Sequence, residues 1–145
     1  MYNILVCDDE LMIRKLIRKY AEFEGHSVDE AANGMEAVLL CRDKKYDIII
    51  MDPPSYGRGP GGEVWKLENE VYGFIEMCKQ VLSDDPLAVL VNSYTAGLSP
   101  AVMSYILNST IVKDFGGEAK ADEIGLRVSE NGLILPCGST AIWMK

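Results

Sequence analysis

No apolar run in this 145-residue sequence approaches the roughly 20 residues that a membrane span needs. The start, Met1-Tyr2-Asn3-Ile4-Leu5-Val6, enters a strand directly and lacks the basic region and apolar stretch of a signal peptide, so the expected compartment is the cytoplasm. An excess of base is also missing. The chain carries 22 acids against 14 Lys and Arg, a net charge of −8, shared as −4 before and −4 after the Asp52-Pro53 bond. A polyanion would be repelled rather than steered in, which argues against nucleic acid as a partner. The four cysteines, Cys7, Cys41, Cys78 and Cys137, stand far apart and form no CxxC pair, so they read as reduced thiols packed as small hydrophobes. The one histidine, His26, has no nucleophile in a recognisable relation to it. Trp65 and Trp143 read as packing residues, because stacking platforms for bases do not suit an acidic field.

What is present suits a single α/β domain. Hydrophobic residues make up 48% and charged residues 25%, and a chain of this length buries roughly 68–70% of the surface its unfolded form exposes. Ile4 to Cys7 is a short apolar run that reads as a strand buried on both faces. Ile13, Leu16, Ile17 and Tyr20 recur at helical spacing and predict an inward stripe, with Gly25 as the stop. Ser27 to Ala32 is a second strand, and Asn33-Gly34 turns into a second helix with Ala37, Val38 and Cys41 inward. Asp47 to Asp52 has the unalternating β-branched texture of a central parallel strand.

Pro53 to about Lys66, rich in proline and glycine, predicts a long loop. The glycines from Gly57 to Gly62 lack the GK[ST] ending of a phosphate-binding loop. A third helix follows with Val71, Phe74, Ile75, Cys78, Val81 and Leu82 on one stripe, then a strand over Leu87–Val91. Ser99-Pro100 is an N-cap with proline at the first helical position, opening a helix with Met103, Ile106 and Leu107 inward. Ile124, Leu126 and Val128 alternate in a fifth strand. The turn at Asn131-Gly132 and a last strand, Thr140 to Met144, complete the pattern. The predicted fold is a three-layer, doubly wound, mostly parallel sheet of order 2-1-3-4, ending in a terminal pair with an antiparallel last strand. Ligands of such sheets sit at the carboxyl ends of the strands, where Asp8, Asp9 and Asp52 fall.

Three carboxylates brought together repel unless a cation sits among them, and an all-oxygen set suits Mg2+. Ile4-Leu5-Val6-Cys7-Asp8-Asp9-Glu10, Ala31-Ala32-Asn33-Gly34-Met35-Glu36-Ala37 and Tyr46-Asp47-Ile48-Ile49-Ile50-Met51-Asp52 resemble the receiver domains of response regulators over the first 52 residues. The resemblance implies a flavodoxin-like fold, Mg2+ held by Asp8, Asp9 and Asp52, and a phosphoryl group accepted on Asp52. It breaks off after Asp52. Ser93 stands by position near the hydroxyl site, but no Lys-Pro follows the fifth strand, which ends Arg127-Val128-Ser129. Without that ammonium an acyl phosphate lacks a charge-assisted partner.

From Asp52-Pro53-Pro54-Ser55-Tyr56-Gly57-Arg58-Gly59-Pro60 through Glu63-Val64-Trp65-Lys66-Leu67-Glu68, and again at Leu135-Pro136-Cys137-Gly138-Ser139 with Trp143, the chain resembles class I S-adenosylmethionine-dependent methyltransferases acting on ribosomal RNA. The resemblance implies a Rossmann-like back half with the Asp52-Pro53-Pro54 turn beside the methyl donor. The donor's own site is not there to match: the turn after the first strand is Asp8-Asp9-Glu10 with no glycine, and Glu30 is a lone acid near the end of the second strand. The expectation is therefore an engineered chimera of two fold fragments joined near residues 52–53, with no selected catalytic activity and no required cofactor. Asp52 would be a vestigial phosphoacceptor and Asp52, Pro53 and Pro54 a vestigial methyltransferase turn. Mg2+ is a possible ligand, no partner is expected, and the chain is monomeric or weakly dimeric. The alternatives are a divergent receiver that takes a phosphoryl group on Asp52 and, third, a methyltransferase. Half-cores that evolved apart predict cavities or exposed apolar area near the seam.

Overall fold

The computed structural model describes residues 1–8 and 10–145. Two compact units divide the chain: Met1–Ile49 with Gln80–Leu87, and Ile50–Lys79 with Ala88–Lys145. The elements are β1 (Asn3–Cys7), α1 (Leu11–Phe23), β2 (Ser27–Ala31), α2 (Gly34–Asp43), β3 (Ile48–Met51), β4 (Tyr56–Arg58), β5 (Val64–Lys66), α3 (Leu67–Lys79), β6 (Ala88–Ser93), α4 (Pro100–Leu107), β7 (Glu118–Arg127) and β8 (Ile134–Met144). Strand order in the sheet is β2-β1-β3-β6-β8-β7, with β4 and β5 paired separately. The division into units falls within β3, after its second residue.

In the first unit β1 runs parallel to β2 from Asn3↔Ser27 to Cys7↔Ala31, and parallel to β3 at Ile4↔Ile48. Its buried residues include Val6, Val28, Ala31, Tyr46 and Leu82. Tyr46 fastens the returning segment: its N–H donates to the Val81 carbonyl, its carbonyl accepts from Ser83, and both bonds are 2.9 Å. Its hydroxyl donates to Asp29 Oδ2 at 3.2 Å, and Lys44 Nζ reaches the same carboxylate at 2.8 Å. Nothing in the sequence pattern singled this tyrosine out as core.

Both helices of this unit lie where the spacing predicts, but α1 turns a different face inward. Gly25 closes α1 with φ +82°, as expected of a left-handed stop. Yet of the α1 residues only Arg14 is buried, while Ile13, Leu16, Ile17 and Tyr20 are exposed. The reason is an ion cluster on the opposite face. Arg14 Nη1 donates to the Asp8 carbonyl at 2.5 Å, Arg14 Nε lies 3.4 Å from Glu30 Oε2, and Arg18 pairs with the same carboxylate. Glu30 is on β2, so the polar face of α1 is the one turned to the strand. In α2, Val38 is likewise exposed, while Ala37 and Cys41 are half-buried. Nor are β1 and β3 covered throughout: Cys7 and Ile50 are exposed and Ile4 and Leu5 half-buried.

The start of α2 is a capping box. Asn33 Oδ1 accepts the Glu36 N–H at 3.0 Å, and Glu36 Oε2 reaches back to the Ala32 N–H at 2.8 Å. Asn33→Ala is expected to cost about 1 kcal/mol, read as a lowered urea midpoint at unchanged slope.

The second unit holds the better-filled core. β8 is antiparallel to β6 from Ala88↔Met144 to Ser93↔Ser139, and antiparallel to β7 along its length, so the expected antiparallel last strand is present. Val89, Val91, Ala141 and Trp143 are fully buried, as are Leu67 and Ile75 of α3 and Met103 and Leu107 of α4, with Ile106 also buried. Ser99 Oγ accepts from Val102 with Pro100 at the first turn, the cap read from the sequence. From Leu107 the helix widens into a π turn over Asn108–Val112, where Thr110 Oγ1 donates to the Ile106 carbonyl at 2.7 Å. Widened turns of this kind need their own hydrogen-bond partners, and a buried threonine supplies one.

Two expectations are corrected here. The predicted loop from Pro53 to Lys66 contains the β4–β5 hairpin, registered by Tyr56↔Lys66 and Arg58↔Val64. Proline and glycine bar a central strand, but a short two-stranded ribbon has only edges and tolerates them. The fifth strand, β7, begins at Glu118, well before Ile124, and Leu126 is exposed near its end. No described helix is long and apolar enough to cross a membrane.

Candidate functional site

The three acids expected to act together are distributed across both units. Asp8 follows β1 in the first, Asp52 follows β3 in the second, and Asp9 lies outside the described residues. Asp8 Oδ1 accepts the Glu10 N–H at 2.8 Å, an aspartate turn that holds the entry to α1. Asp52 is exposed, Pro53 after it is buried and Pro54 is exposed. Among the described residues no three His, Cys, Asp or Glu side chains are grouped so as to hold a metal ion. Cys7 is exposed as a residue, yet its thiol is pushed up by partial desolvation and then by the charge of the neighbouring Asp8, so it stays protonated at neutral pH.

Glu30, the single acid that could have met a ribose, is engaged instead. Arg14 and Arg18 both lie on it, and Arg18 also reaches Glu22 at 3.2 Å. Two guanidiniums around one carboxylate leave it little capacity to accept hydroxyl donors. Arg14 and Arg18, four apart, share a helix face, but only the folded strand β2 sets Glu30 opposite them.

The Pro53-Pro54 turn leads into a polar cluster within the second unit. Ser55 Oγ accepts from Thr95 Oγ1 at 2.8 Å, and the Ser55 carbonyl accepts the Leu67 N–H at 3.1 Å. Ser93, at the end of β6, is fully buried, and its hydroxyl accepts the Thr95 N–H at 3.2 Å. Ser139 on β8 donates to the Leu98 carbonyl at 2.9 Å. Ser93 therefore serves the chain's own backbone. Ser55 and Thr95 carried no motif signal; only the fold brings them together.

Beside this turn the hairpin borders a shallow, open cleft of about 490 Å3, lined by Pro54, Arg58, Glu63, Trp65 and Glu70 among others. Trp65 forms its wall, donating Nε1–H to the Pro54 carbonyl at 2.7 Å and meeting Phe74 edge-on at 5.7 Å. Arg58 Nε donates to the Tyr56 hydroxyl at 2.7 Å. The amides of Gly59, Gly61 and Gly62 are used within the hairpin rather than offered to a phosphate. Gly59 N–H donates to the Glu63 carbonyl at 2.9 Å, and Gly61 N–H to its carboxylate at 3.0 Å. A carboxylate in that place repels an anion.

The family model for the response regulator receiver domain matches residues 4–53. Over 50 residues the chain is 49% identical to the transcriptional regulatory protein ResD of Bacillus subtilis and 43% identical to SrrA of Staphylococcus aureus. Each match covers 34% of this chain and 21% of the relative, so the chain spans about a fifth of the length of these regulators. In fold the chain is similar to a SAM-dependent methyltransferase from Agrobacterium tumefaciens. The TM-score is 0.72 at 24% identity, over 97% of this chain and 48% of that one. One chain thus combines a receiver-like sequence over residues 4–53 with a mixed α/β fold of the Rossmann-like methyltransferase kind over nearly its whole length.

Proposed function

We propose that the protein is an engineered chimera, one α/β domain with its seam near residues 52–53, that has no selected catalytic activity and needs no cofactor. The observation that carries this is a mismatch of extents: receiver similarity in sequence stops at Pro53, whereas the methyltransferase-like fold covers 97% of the chain. Drift from one ancestor erodes a motif gradually and does not end it at a residue that also starts a second motif. The chemistry agrees. Asp8 and Glu10 flank the turn after β1, where a methyl-donor site needs glycine for close backbone approach, and their charge would repel the donor's carboxylate. Glu30 is already neutralised by two arginines. The expected result is no thermal shift and no methyl transfer with S-adenosylmethionine. A shift that Pro53→Ala and Pro54→Ala abolish would overturn the reading.

A second reading is favoured by the receiver match itself, which includes Asp8, Asp9 and Asp52. In it the three carboxylates hold Mg2+, and an Asp52 oxygen attacks the phosphorus of an acyl phosphate, releasing the donor's carboxylate. No Lys-Pro pair follows β7 to steady the product. Incubation with acetyl phosphate and Mg2+, followed by intact mass, is expected to leave the mass unchanged. A phosphoryl adduct that is lost in Asp52→Asn would establish this second reading and defeat the first.

A further inference from the structure

Six large apolar side chains of α1 are exposed, although the helix packs on β1 and β2 of its own unit. Met12, Leu16, Tyr20 and Phe23 are 68%, 55%, 66% and 84% exposed, and Ile13 and Ile17 are exposed as well. At 100° per residue the six fall within an arc of about 140°, one continuous stripe along a 13-residue helix. The helix cannot simply roll over to bury it. Its other face is tied to β2 through Arg14, Arg18 and Glu30, and to the chain before it through the Asp8 carbonyl. Turning the stripe inward would strip Glu30 of both partners, a costly exchange for a part-buried carboxylate.

We propose that α1 is the surface through which two copies of this chain pair. Averaging roughly 115 Å2 of exposed surface over the six residues, the stripe amounts to roughly 700 Å2, close to the roughly 800 Å2 that each partner contributes to a standard stable interface. An ordinary monomer rarely exposes an apolar patch of more than a few hundred Å2. Ile13, Leu16, Tyr20 and Phe23 alternate three and four apart, the spacing at which one helix seats its side chains between those of an identical neighbour. A second copy brings the same stripe about a two-fold axis, so the match in length and character is guaranteed by symmetry. A lipid surface suits the stripe less well. Lys15 and Lys19 lie beside the stripe, but Arg14 and Arg18 are held by Glu30 and the chain carries −8 overall, so little net attraction to anionic headgroups is left. The pairing goes beyond the chimera reading and holds whether or not the chain is catalytically silent.

Sedimentation velocity across a concentration series tests it. The wild-type coefficient is expected to climb from monomer to dimer. Leu16→Glu, which sets two carboxylates near the axis, is expected to weaken pairing by about 100-fold or more, while Lys15→Glu, off the stripe, leaves it within about threefold. Circular dichroism of Leu16→Glu reports whether it folds. Should it not, a second measurement decides: with Cys7, Cys41, Cys78 and Cys137 replaced by serine, Leu16→Cys is expected to form a disulfide-linked dimer under mild copper-phenanthroline oxidation, and Glu22→Cys is not. A wild-type chain that stays monomeric at every concentration would overturn the proposal. So would a dimer that persists in folded Leu16→Glu, or equal cross-linking at positions 16 and 22. Anionic vesicles that bind α1 while the free chain stays monomeric would assign the stripe to lipid instead.

Discussion

Replacing Trp143 with alanine is expected to cost about 3–5 kcal/mol, the range for emptying a large aromatic from a core. Trp143 is fully buried in β8, with Val89 of β6 opposite it on one side and Ala119 of β7 on the other. Its indole N–H donates to the Gly116 carbonyl at 2.7 Å, and the Phe115 ring lies 6.0 Å away. The fit is close enough to dictate its neighbour. A Cβ at Gly117 would come within 2.8 Å of the indole nitrogen, and the glycine holds φ +77° there, which side chains disfavour. The truncation thus removes packing and leaves a carbonyl without its donor, two losses that add. Whole-domain stabilities run at about 5–15 kcal/mol, so the variant should be largely unfolded at 37 °C or close to it. Trp65 remains as the reporter. Urea titration by its fluorescence should show the midpoint collapse, with Trp143→Phe intermediate. A loss below about 1 kcal/mol would mean that Trp143 is not a core residue.

The back half was legible in the sequence because its stripes are covered. Val71 and Ile75 on α3 and Met103, Ile106 and Leu107 on α4 are buried as their spacing implies, and Ser99-Pro100 opens α4 with the cap it announces. The front half shows what periodicity leaves open. Ile13, Leu16, Ile17 and Tyr20 do share one face of α1, but a pattern records only which residues go together, never what stands opposite them. The choice of face was decided by Arg14, Arg18 and Glu30, whose pairing depends on strand β2 lying alongside the helix. Apolar side chains are left exposed on α1 and again at Met35, Val38 and Leu39 of α2. Site residues follow the same division. Asp8 and Asp52 can be read as strand-end acids from the alternation of elements alone. Contacts between Ser55 and Thr95, 40 residues apart, need the folded chain.

Tyr46 is where the first unit is most exposed to damage. Tyr46→Ala is expected to cost about 3–5 kcal/mol, since the ring is almost wholly enclosed and its backbone joins the segment around Leu82 to the start of β3. Tyr46→Phe keeps the ring and loses only the hydroxyl bond to Asp29, for about 0.5–1.5 kcal/mol. The two variants separate packing from charge, and pH sharpens the distinction. Burial, then the Asp29 carboxylate beside it, holds the Tyr46 phenol well above its ordinary value of 10.0. Above pH 10 the unfolded chain therefore releases a proton that the folded chain keeps, so stability falls as pH rises, by up to about 1.4 kcal/mol per pH unit for this one group. Lys79, raised above 10.5 by hydrogen bonds to Asp114 and Glu76, slopes the same way at higher pH, because the unfolded lysine loses its proton first. Tyr46→Phe is accordingly expected to lose stability at neutral pH yet decline less steeply than wild type from pH 10 upward. The two urea-midpoint curves should converge there. Parallel curves through that window would show that the Tyr46 hydroxyl is as solvated folded as unfolded, contrary to its burial.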